Sequence, residues 1–273
     1  MPEAELFIKL GTRILSRLRP SKRNALPLPQ NPIIHSTAGY KIHTMWYPQQ
    51  NPHAPTILLC PDYPDTCASF TEQRYPISCP DIYALGYNLL CFDPAGRGKS
   101  WGTEDHGGLE HQDNVATLLR WIHQQVPHSK VGVVSMGFGL SMALGGIPAS
   151  GMDIAFLLDW EGPSDPEFLE HVYTIEKKHI YPTYWQERSP IALLPSCTVP
   201  YIRIQSEKDH RTEYDMRHCN RIFRQLVAQQ HPHYRLNHHP KGTYPPQPQL
   251  LINDREVQKQ ATTQLLKSLF SLA

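Results

Sequence analysis

The sequence predicts an α/β fold with a mostly parallel, eight-stranded sheet and helices on both faces. The chain has 273 residues and is 40% hydrophobic, which suffices for one large domain with its own core. Short apolar segments alternate along it with longer segments of helical periodicity. The later apolar segments lack polar alternation, which is typical of parallel strands covered on both faces.

Eight segments are predicted as strands because they are short, apolar and rich in β-branched or aromatic residues. They are 33–36, 40–47, 56–60, 88–92, 131–134, 154–159, 201–205 and 234–237. The first two lie close enough in the chain to pair antiparallel. Helices are predicted at 109–125, 138–145, 213–229 and 256–272. Residues 68–85 are expected to be helical only in part, since Pro76 and Pro80 interrupt the pattern.

The first 32 residues differ in character from the rest. Residues 3–18 place apolar side chains at helical spacing among several lysines and arginines, and residues 24–32 form a proline-rich linker. Such a basic helix fits either a peripheral contact with an anionic membrane or a protein, or packing on the domain's own surface. The main domain is predicted at 33–273.

Residues 163–198 interrupt the alternation of strands and helices. They are rich in proline, tyrosine, histidine and charge, and are interpreted as a small lid over the carboxyl edge of the sheet. Open α/β folds bind their ligands at that edge. Tyr184 and Trp185 are therefore candidate contacts to a small-molecule ligand or acyl substrate.

Charge, cysteine spacing and hydropathy argue against nucleic-acid binding, a metal site and a membrane span. The net charge of +1 offers no basis for binding nucleic acid. None of the six cysteines forms a CxxC pair, so a structural zinc site is not expected. A metal cluster at His231, His233, His238 and His239 has low specificity, and neither a metal nor a cofactor is predicted. The chain has no signal-peptide pattern and no apolar run of about 18 residues, which predicts a cytoplasmic protein with reduced thiols.

Three stretches occur in a characteristic order. NLLCFDPAGRGKS carries Asp93, Gly96, Gly98 and Ser100 after a strand. VGVVSMGFGLS, at 131–141, has the form of a strand, a tight turn and a helix. YWQERSPIALLPSCTVPYIRIQSEKDH leads from the predicted lid into a strand and an acidic loop. Together they resemble the α/β-hydrolase superfamily, in particular its esterases and acyl peptidases.

The resemblance implies a nucleophile at the centre of a small-x-Ser-x-Gly turn. Here the frame runs from Ser135 to Gly139, and its centre is Gly137, which has no side chain to attack with. Glycine also relieves the backbone strain that a nucleophile bears in this turn. Ser135 acting from a displaced position is the alternative.

The remaining catalytic positions match less well. Asp209 stands in the acid position, although it also fits a helix cap, and Asp159 or Glu161 is the alternative acid. The family's histidine commonly follows a glycine, but Thr243 follows Gly242. His239, or its neighbour His238, is the candidate, and both also fit an exposed strand end.

The resemblance also implies two backbone N–H groups that bind the oxyanion. One would come from Phe138, at the start of a helix, and the other from Asp62 or Tyr63. A carboxylate at Asp62 would oppose a developing negative charge.

The sequence thus predicts an α/β-hydrolase-fold protein with a degenerate site, without standard serine hydrolase activity, that binds a ligand or partner. An active ester, thioester or peptide hydrolase is the first alternative, using Ser135 or a water held by His239 and Asp209. A lyase-type enzyme without hydrolysis is the second.

Overall fold

A computed structural model describes residues 26–165, 183–204, 217–231, 233–235 and 255–272. Its strands are β1 (Ile34–His35), β2 (Lys41–Ile42), β3 (Thr44–Tyr47), β4 (Thr56–Cys60), β5 (Asn88–Phe92), β6 (Val131–Met136), β7 (Phe156–Trp160), β8 (Tyr201–Ile204) and β9 (His233–Arg235). Its helices are α1 (Ala68–Thr71), α2 (Cys79–Tyr83), α3 (Leu109–Gln125), α4 (Gly139–Ser150), α5 (Pro190–Leu193), α6 (Arg217–Ala228) and α7 (Arg255–Leu272).

The main sheet has the strand order β3-β5-β4-β6-β7-β8-β9. Strands β4 to β9 run parallel to their neighbours, and only β3 is antiparallel. The prediction of a mostly parallel α/β sheet is confirmed. Because parallel strands end at a common edge, the residues after β4, β5, β6 and β7 meet there.

The predicted count of eight strands in this sheet is wrong for the described residues, which form seven. The first predicted strand instead pairs antiparallel with β2 in a separate two-stranded sheet, as Ile34 opposite Ile42 shows. The second predicted strand divides at His43, whose N–H donates to Ser100 Oγ at 2.8 Å. That bond draws the backbone towards the turn after β5, so β2 and β3 do not join.

Helices cover both faces of the sheet, as predicted. One face packs against α3, α4 and α6, through residues such as Leu118, Leu144 and Phe223. The other packs against α1, α2 and α7, through residues such as Phe70, Ile82 and Leu266. The central strands are therefore buried throughout.

Only part of the predicted lid lies within the described residues. After a gap at 166–182 the chain forms a short 3₁₀ turn at Gln186–Arg188, then α5, then a second 3₁₀ turn at Leu194–Ser196. Residues 1–25, which include the predicted basic helix, lie outside the described part. Among the helices that the structure describes, none is long and apolar enough to cross a membrane.

Helices α3 and α4 approach closely at a glycine. A Cβ added to Gly146 would lie 2.5 Å from Val115 Cβ and 2.6 Å from its Cγ1. We expect Gly146→Ala to lower the free energy of unfolding by about 1–3 kcal/mol, because an overpacked interface must separate. Chemical denaturation would measure this.

The control is the same substitution in a Val115→Ala background, which removes Cγ1 but keeps Val115 Cβ and the Gln112 carbonyl oxygen that a Cβ on Gly146 would also meet. There Gly146→Ala should cost less than in the wild type, without becoming neutral. Equal losses in both backgrounds would contradict the packing explanation, since residues that clash must show coupling.

Candidate active site

The turn between β6 and α4 has the geometry of a nucleophile elbow. Gly137 lies at its tip with φ +50, a left-handed conformation that favours glycine. Two residues later, a Cβ on Gly139 would lie 2.6 Å from the carbonyl oxygen of Cys60, so only glycine allows α4 to begin this close to β4. The glycine register inferred from the sequence therefore agrees with the structure.

Two backbone N–H groups converge beside this turn. Phe138 N–H donates to Asp62 Oδ1 at 2.6 Å, and Tyr63 N–H donates to the same oxygen at 2.8 Å. We call the point where these two N–H groups meet the oxyanion position, because paired donors at an elbow and at the loop after β4 bind the oxyanion in serine hydrolases. Here a carboxylate oxygen of the chain itself occupies it.

Asp62 therefore acts as a hydrogen-bond acceptor through its side chain, and not as the backbone N–H donor that was predicted. It does not supply an oxyanion N–H, since its own N–H donates to Tyr75 Oη at 2.9 Å. The second donor is Tyr63, the alternative that the sequence left open. Asp62 instead supplies the acceptor, because the loop after β4 turns its side chain towards the start of α4.

The same carboxylate also fills the space that a side chain at position 137 would occupy. A Cβ built on Gly137 would lie 2.5 Å from Asp62 Oδ1 and 2.6 Å from Oδ2. A serine at this position would collide with Asp62 unless the acidic side chain moved. The glycine at the elbow and the aspartate after β4 are thus sterically complementary.

A buried network fixes the loop that carries Asp62. Arg97 Nη1 donates to the Asp62 carbonyl oxygen at 3.0 Å, while its guanidinium lies 4.8 Å from the centre of the Tyr63 ring. Arg97 also forms two hydrogen bonds with Glu104, at 2.6 and 2.9 Å. Burial raises the pKa of Glu104, but the Arg97 guanidinium outweighs it and the pKa is lowered.

Tyr75 supports the loop from the opposite side. Its hydroxyl accepts from Asp62 N–H and donates to Asp65 Oδ2 at 2.7 Å. Burial, followed by the negative charge of Asp62, raises the pKa of Tyr75, so the phenol keeps the proton that it donates.

Aromatic side chains line one side of this arrangement. The His106 ring lies 5.1 Å from the Tyr63 ring, and His106 Nδ1 lies 3.0 Å from Tyr184 Oη. The Arg188 guanidinium stacks 3.6 Å from the centre of the Tyr184 ring. Trp185 meets Tyr184 edge to face. Tyr184 is therefore linked to Tyr63 through His106, and Trp185 packs behind Tyr184.

His106 and Arg97 were not identified from the sequence as site residues. Burial lowers the pKa of His106, with Arg97 and Arg188 adding to the effect and Glu104 opposing it, so the imidazole favours its neutral form. Arg97 stands within the quoted DPAGRGKS stretch, which was a usable signal. Nothing local marks His106, because its partners are distant in the sequence.

Ser135 lies within β6 and not at the edge of the sheet. Its side chain shares a face with Val131 and Val133, beneath α3 and α4. Its Oγ is buried and has no hydrogen-bond partner among the described residues. A displaced nucleophile here would have to act from inside the core, so the geometry does not favour this alternative.

The alternative acid Asp159 is engaged elsewhere. Its carboxylate accepts hydrogen bonds from Tyr201 Oη, from the Arg203 guanidinium and, at 2.8 Å, from Gly162 N–H. Both members of the ion pair with Arg203 are fully buried. Burial raises the pKa of Asp159, and Arg203 opposes this rise. Asp159 therefore ties β7 to β8, and is not directed at the elbow.

Asp209, His238 and His239 lie outside the described residues. Their assignment as catalytic acid and base remains a prediction.

Glu161, the other alternative acid, directly follows β7. It is buried and has a backbone φ of +54.

Comparison with solved structures identifies the architecture. The Pyrococcus furiosus esterase Pf2001 matches with a TM-score of 0.66 over 94% of this chain and 97% of its own, at 15% identity. This chain has the α/β-hydrolase fold. The Pyrococcus horikoshii acylaminoacyl peptidase matches with a TM-score of 0.62 at 11% identity, over 90% of this chain and 42% of the peptidase.

A dipeptidyl peptidase 4 from Porphyromonas gingivalis is also similar, with a TM-score of 0.60 at 14% identity over 77% of this chain and 32% of its own. At these identities the likeness shows the fold and not the activity. No family model matches the chain, and no curated protein matches its sequence.

The complementarity between Gly137 and Asp62 predicts a coupling. Gly137→Ser should lower the free energy of unfolding by about 1–3 kcal/mol, from overpacking together with a strained backbone. In an Asp62→Gly background the loss should shrink. Denaturant titration of the wild type, Gly137→Ser, Asp62→Gly and the double variant gives the coupling energy between positions 62 and 137.

Gly151 offers a matched control. It also has a positive φ, +66, but a Cβ there would meet nothing within 4 Å. Gly151→Ser therefore bears the backbone strain alone. A loss no greater at Gly137 than at Gly151 would show that Asp62 does not fill the nucleophile position.

A buried histidine beside the site predicts a pH dependence. His111 Nδ1 accepts the Gly107 N–H at 3.0 Å, and His111 Nε2 lies 2.9 Å from the Ala95 carbonyl oxygen, which suits a neutral ring protonated at Nε2. Burial lowers the pKa of His111 to about 4. A second proton would break the bond to Gly107.

Because the folded pKa lies below the unfolded value of about 6.5, the neutral ring's stability is fully present above that value. It should be lost as the pH falls towards 4, by on the order of 3 kcal/mol. Urea titrations from pH 7.5 to 4 measure this against His111→Gln, which cannot titrate. Parallel pH profiles of the two proteins would contradict it.

Proposed function

We propose that this chain is an α/β-hydrolase-fold protein that does not perform serine-type acyl transfer and instead binds a small-molecule ligand or a protein partner. The observation that carries the proposal is the Asp62 carboxylate. It takes both N–H donors of the oxyanion position and fills the space of the missing nucleophile.

Serine-type chemistry needs both of these places. The nucleophile attacks an acyl carbon, and the carbonyl oxygen becomes an oxyanion held by the two N–H groups. Here a substrate oxygen would have to displace a bound carboxylate oxygen and then develop negative charge beside it. Both requirements raise the activation free energy for forming the oxyanion, which the two N–H groups lower in a serine hydrolase.

The carboxylate is well placed to remain where it is. Phe138 N–H stands at the start of α4, a helix of 12 residues whose N-terminus carries partial positive charge. Such a terminus binds an anion readily, and Asp62 is only 8% exposed. The oxyanion position thus holds the Asp62 carboxylate, where a serine hydrolase would hold the negative oxygen that forms only during its reaction.

A binding role is supported by the residues around this position. Tyr63, His106 and Tyr184 form a connected set of rings with hydrogen-bonding atoms, a combination common in sites for planar or partly apolar ligands. The predicted contact of residues 3–18 with a membrane or protein remains a separate part of the proposal.

The hydrolytic alternatives rest on residues that the described part does not contain, apart from the buried Ser135. They are therefore treated as outcomes of the test. The lyase-type alternative has no described group that favours it.

Labelling with a fluorophosphonate probe tests the proposal, because the probe reacts only with an activated nucleophile. The four proteins are the wild type, Gly137→Ser, Asp62→Gly and the double variant, each analysed by intact mass and peptide mapping. We expect no adduct on the first three. Gly137→Ser alone should stay unlabelled, because Asp62 still blocks the serine and occupies its oxyanion position.

Labelling of the double variant on the introduced serine would show that Asp62 and Gly137 together account for the loss of function. No labelling in any protein would place a further defect in the histidine or acid, and the non-catalytic assignment would stand. An adduct on Ser135 of the wild type would overturn it.

A water-based mechanism escapes the probe, so ester turnover is measured as well. The wild type should not hydrolyse p-nitrophenyl acyl esters faster than a heat-denatured sample. Turnover by the wild type that disappears in both His239→Ala and Asp209→Asn would overturn the proposal and favour the water held by those residues.

A further inference from the structure

A separate group of polar side chains lies where β3 and β5 meet the start of α1. A ring nitrogen of His43, the Cys67 thiol and a carboxylate oxygen of Asp93 all lie within 4.8 Å of one another. Cys67 and Asp93 are buried, and His43 is partly exposed. These side chains take no part in the arrangement around Asp62.

His43 provides the first indication of a missing partner. Its Nε2 is buried and has no hydrogen-bond partner among the residues that the structure describes. The residue is nevertheless held in place, because its N–H donates to Ser100 Oγ and its carbonyl oxygen accepts from Asp93 N–H at 3.0 Å. A buried polar atom without a partner calls for an explanation, such as an ion or water.

Two backbone N–H groups fix the orientation of the Asp93 carboxylate. Its Oδ1 accepts from Cys67 N–H at 3.0 Å, and its Oδ2 accepts from Lys99 N–H at 2.8 Å. Each oxygen keeps a lone pair for another contact. Such hydrogen bonds fix the direction of a metal-binding carboxylate.

We infer that His43, Cys67 and Asp93 form a binding site for one Zn²⁺ ion. Imidazole, thiolate and carboxylate are all ligands that zinc accepts, and a water would complete a tetrahedron. Two positive charges are balanced by one thiolate and one carboxylate, so the site is neutral, as a buried site requires.

The proton balance follows from the state of the thiol. A cysteine thiol is mostly protonated at neutral pH, so the empty site holds an S–H group. Zinc forms the Zn–S bond as the S–H bond breaks, and the proton leaves to solvent. A neutral imidazole at His43 binds zinc through its free ring nitrogen without losing a proton.

Two nearby lysines limit the affinity of this site for zinc, and the position of Cys67 links the site to the loop that carries Asp62. Lys41 and Lys99 lie near enough to His43 to repel a cation, which the two anionic ligands must outweigh. Cys67 follows Asp62 by five residues, so a bound ion would fasten the base of the loop that carries Asp62 and Tyr63. Sequence spacing did not indicate this site, because its ligands come from three separate segments.

Titration of the chelator-treated full chain with Zn²⁺ tests the inference. We expect one equivalent to bind, about one proton to be released and the midpoint of thermal unfolding to rise. With Co²⁺ as a spectroscopic probe, an intense near-ultraviolet band should appear from thiolate coordination.

The variants are Cys67→Ser and His43→Gln, with Cys197→Ser as the control because Cys197 is an equally buried thiol elsewhere. The first two should weaken binding by at least about tenfold. The control should retain it, together with the cobalt band. Since His43 is partly exposed, His43→Gln should fold even where Cys67→Ser does not.

Two results would overturn the inference. One is a wild type whose Zn²⁺ binding is unchanged by His43→Gln, which would place the ion at other histidines. The other is the absence of a thiolate band in the cobalt-loaded wild type. Failure here leaves the proposal about Asp62 untouched, because that proposal is read from probe labelling without metal.

Discussion

One carboxylate oxygen, Asp62 Oδ1, organises the carboxyl edge of this sheet. It accepts the N–H groups of Phe138 and Tyr63, which belong to the loops after β6 and β4. Hydrogen bonds to a charged group contribute about 1.5–3 kcal/mol each. The bond from Phe138 therefore fastens the loop after β6 to the loop after β4, while the bond from Tyr63 holds the carboxylate in place within its own loop.

The residues around Asp62 are arranged to satisfy this constraint. Gly137 leaves the space that the carboxylate fills. Tyr75 and Arg97 hold the backbone of Asp62 from two sides, and Glu104 neutralises the arginine. Removing the carboxylate would leave two N–H groups beside a helix N-terminus without this acceptor, so a glycine at position 137 and a carboxylate at position 62 fit together physically.

The strand, turn and helix around Gly137 have the form of a nucleophile elbow, with a left-handed turn at Gly137 and a close contact between Gly139 and Cys60. A scaffold of this kind keeps its preorganised N–H donors regardless of what they bind. Binding by a fixed internal anion is therefore compatible with every element that catalysis would use.

Sequence alone determined the alternation of strands and helices and the tight turn at Gly137 and Gly139. These follow from local patterns: apolar periodicity and glycines at a tight turn. The strand count was wrong because the first predicted strand pairs with β2 in a separate sheet, and β2 is separated from β3 at His43, whose N–H bonds to the distant Ser100. The direction of the Asp62 side chain, the contact of His106 with Tyr184 and the grouping of His43 with Cys67 and Asp93 were decided only by tertiary structure. Each depends on where two or more remote segments meet at the sheet, and no spacing along the chain encodes that distance.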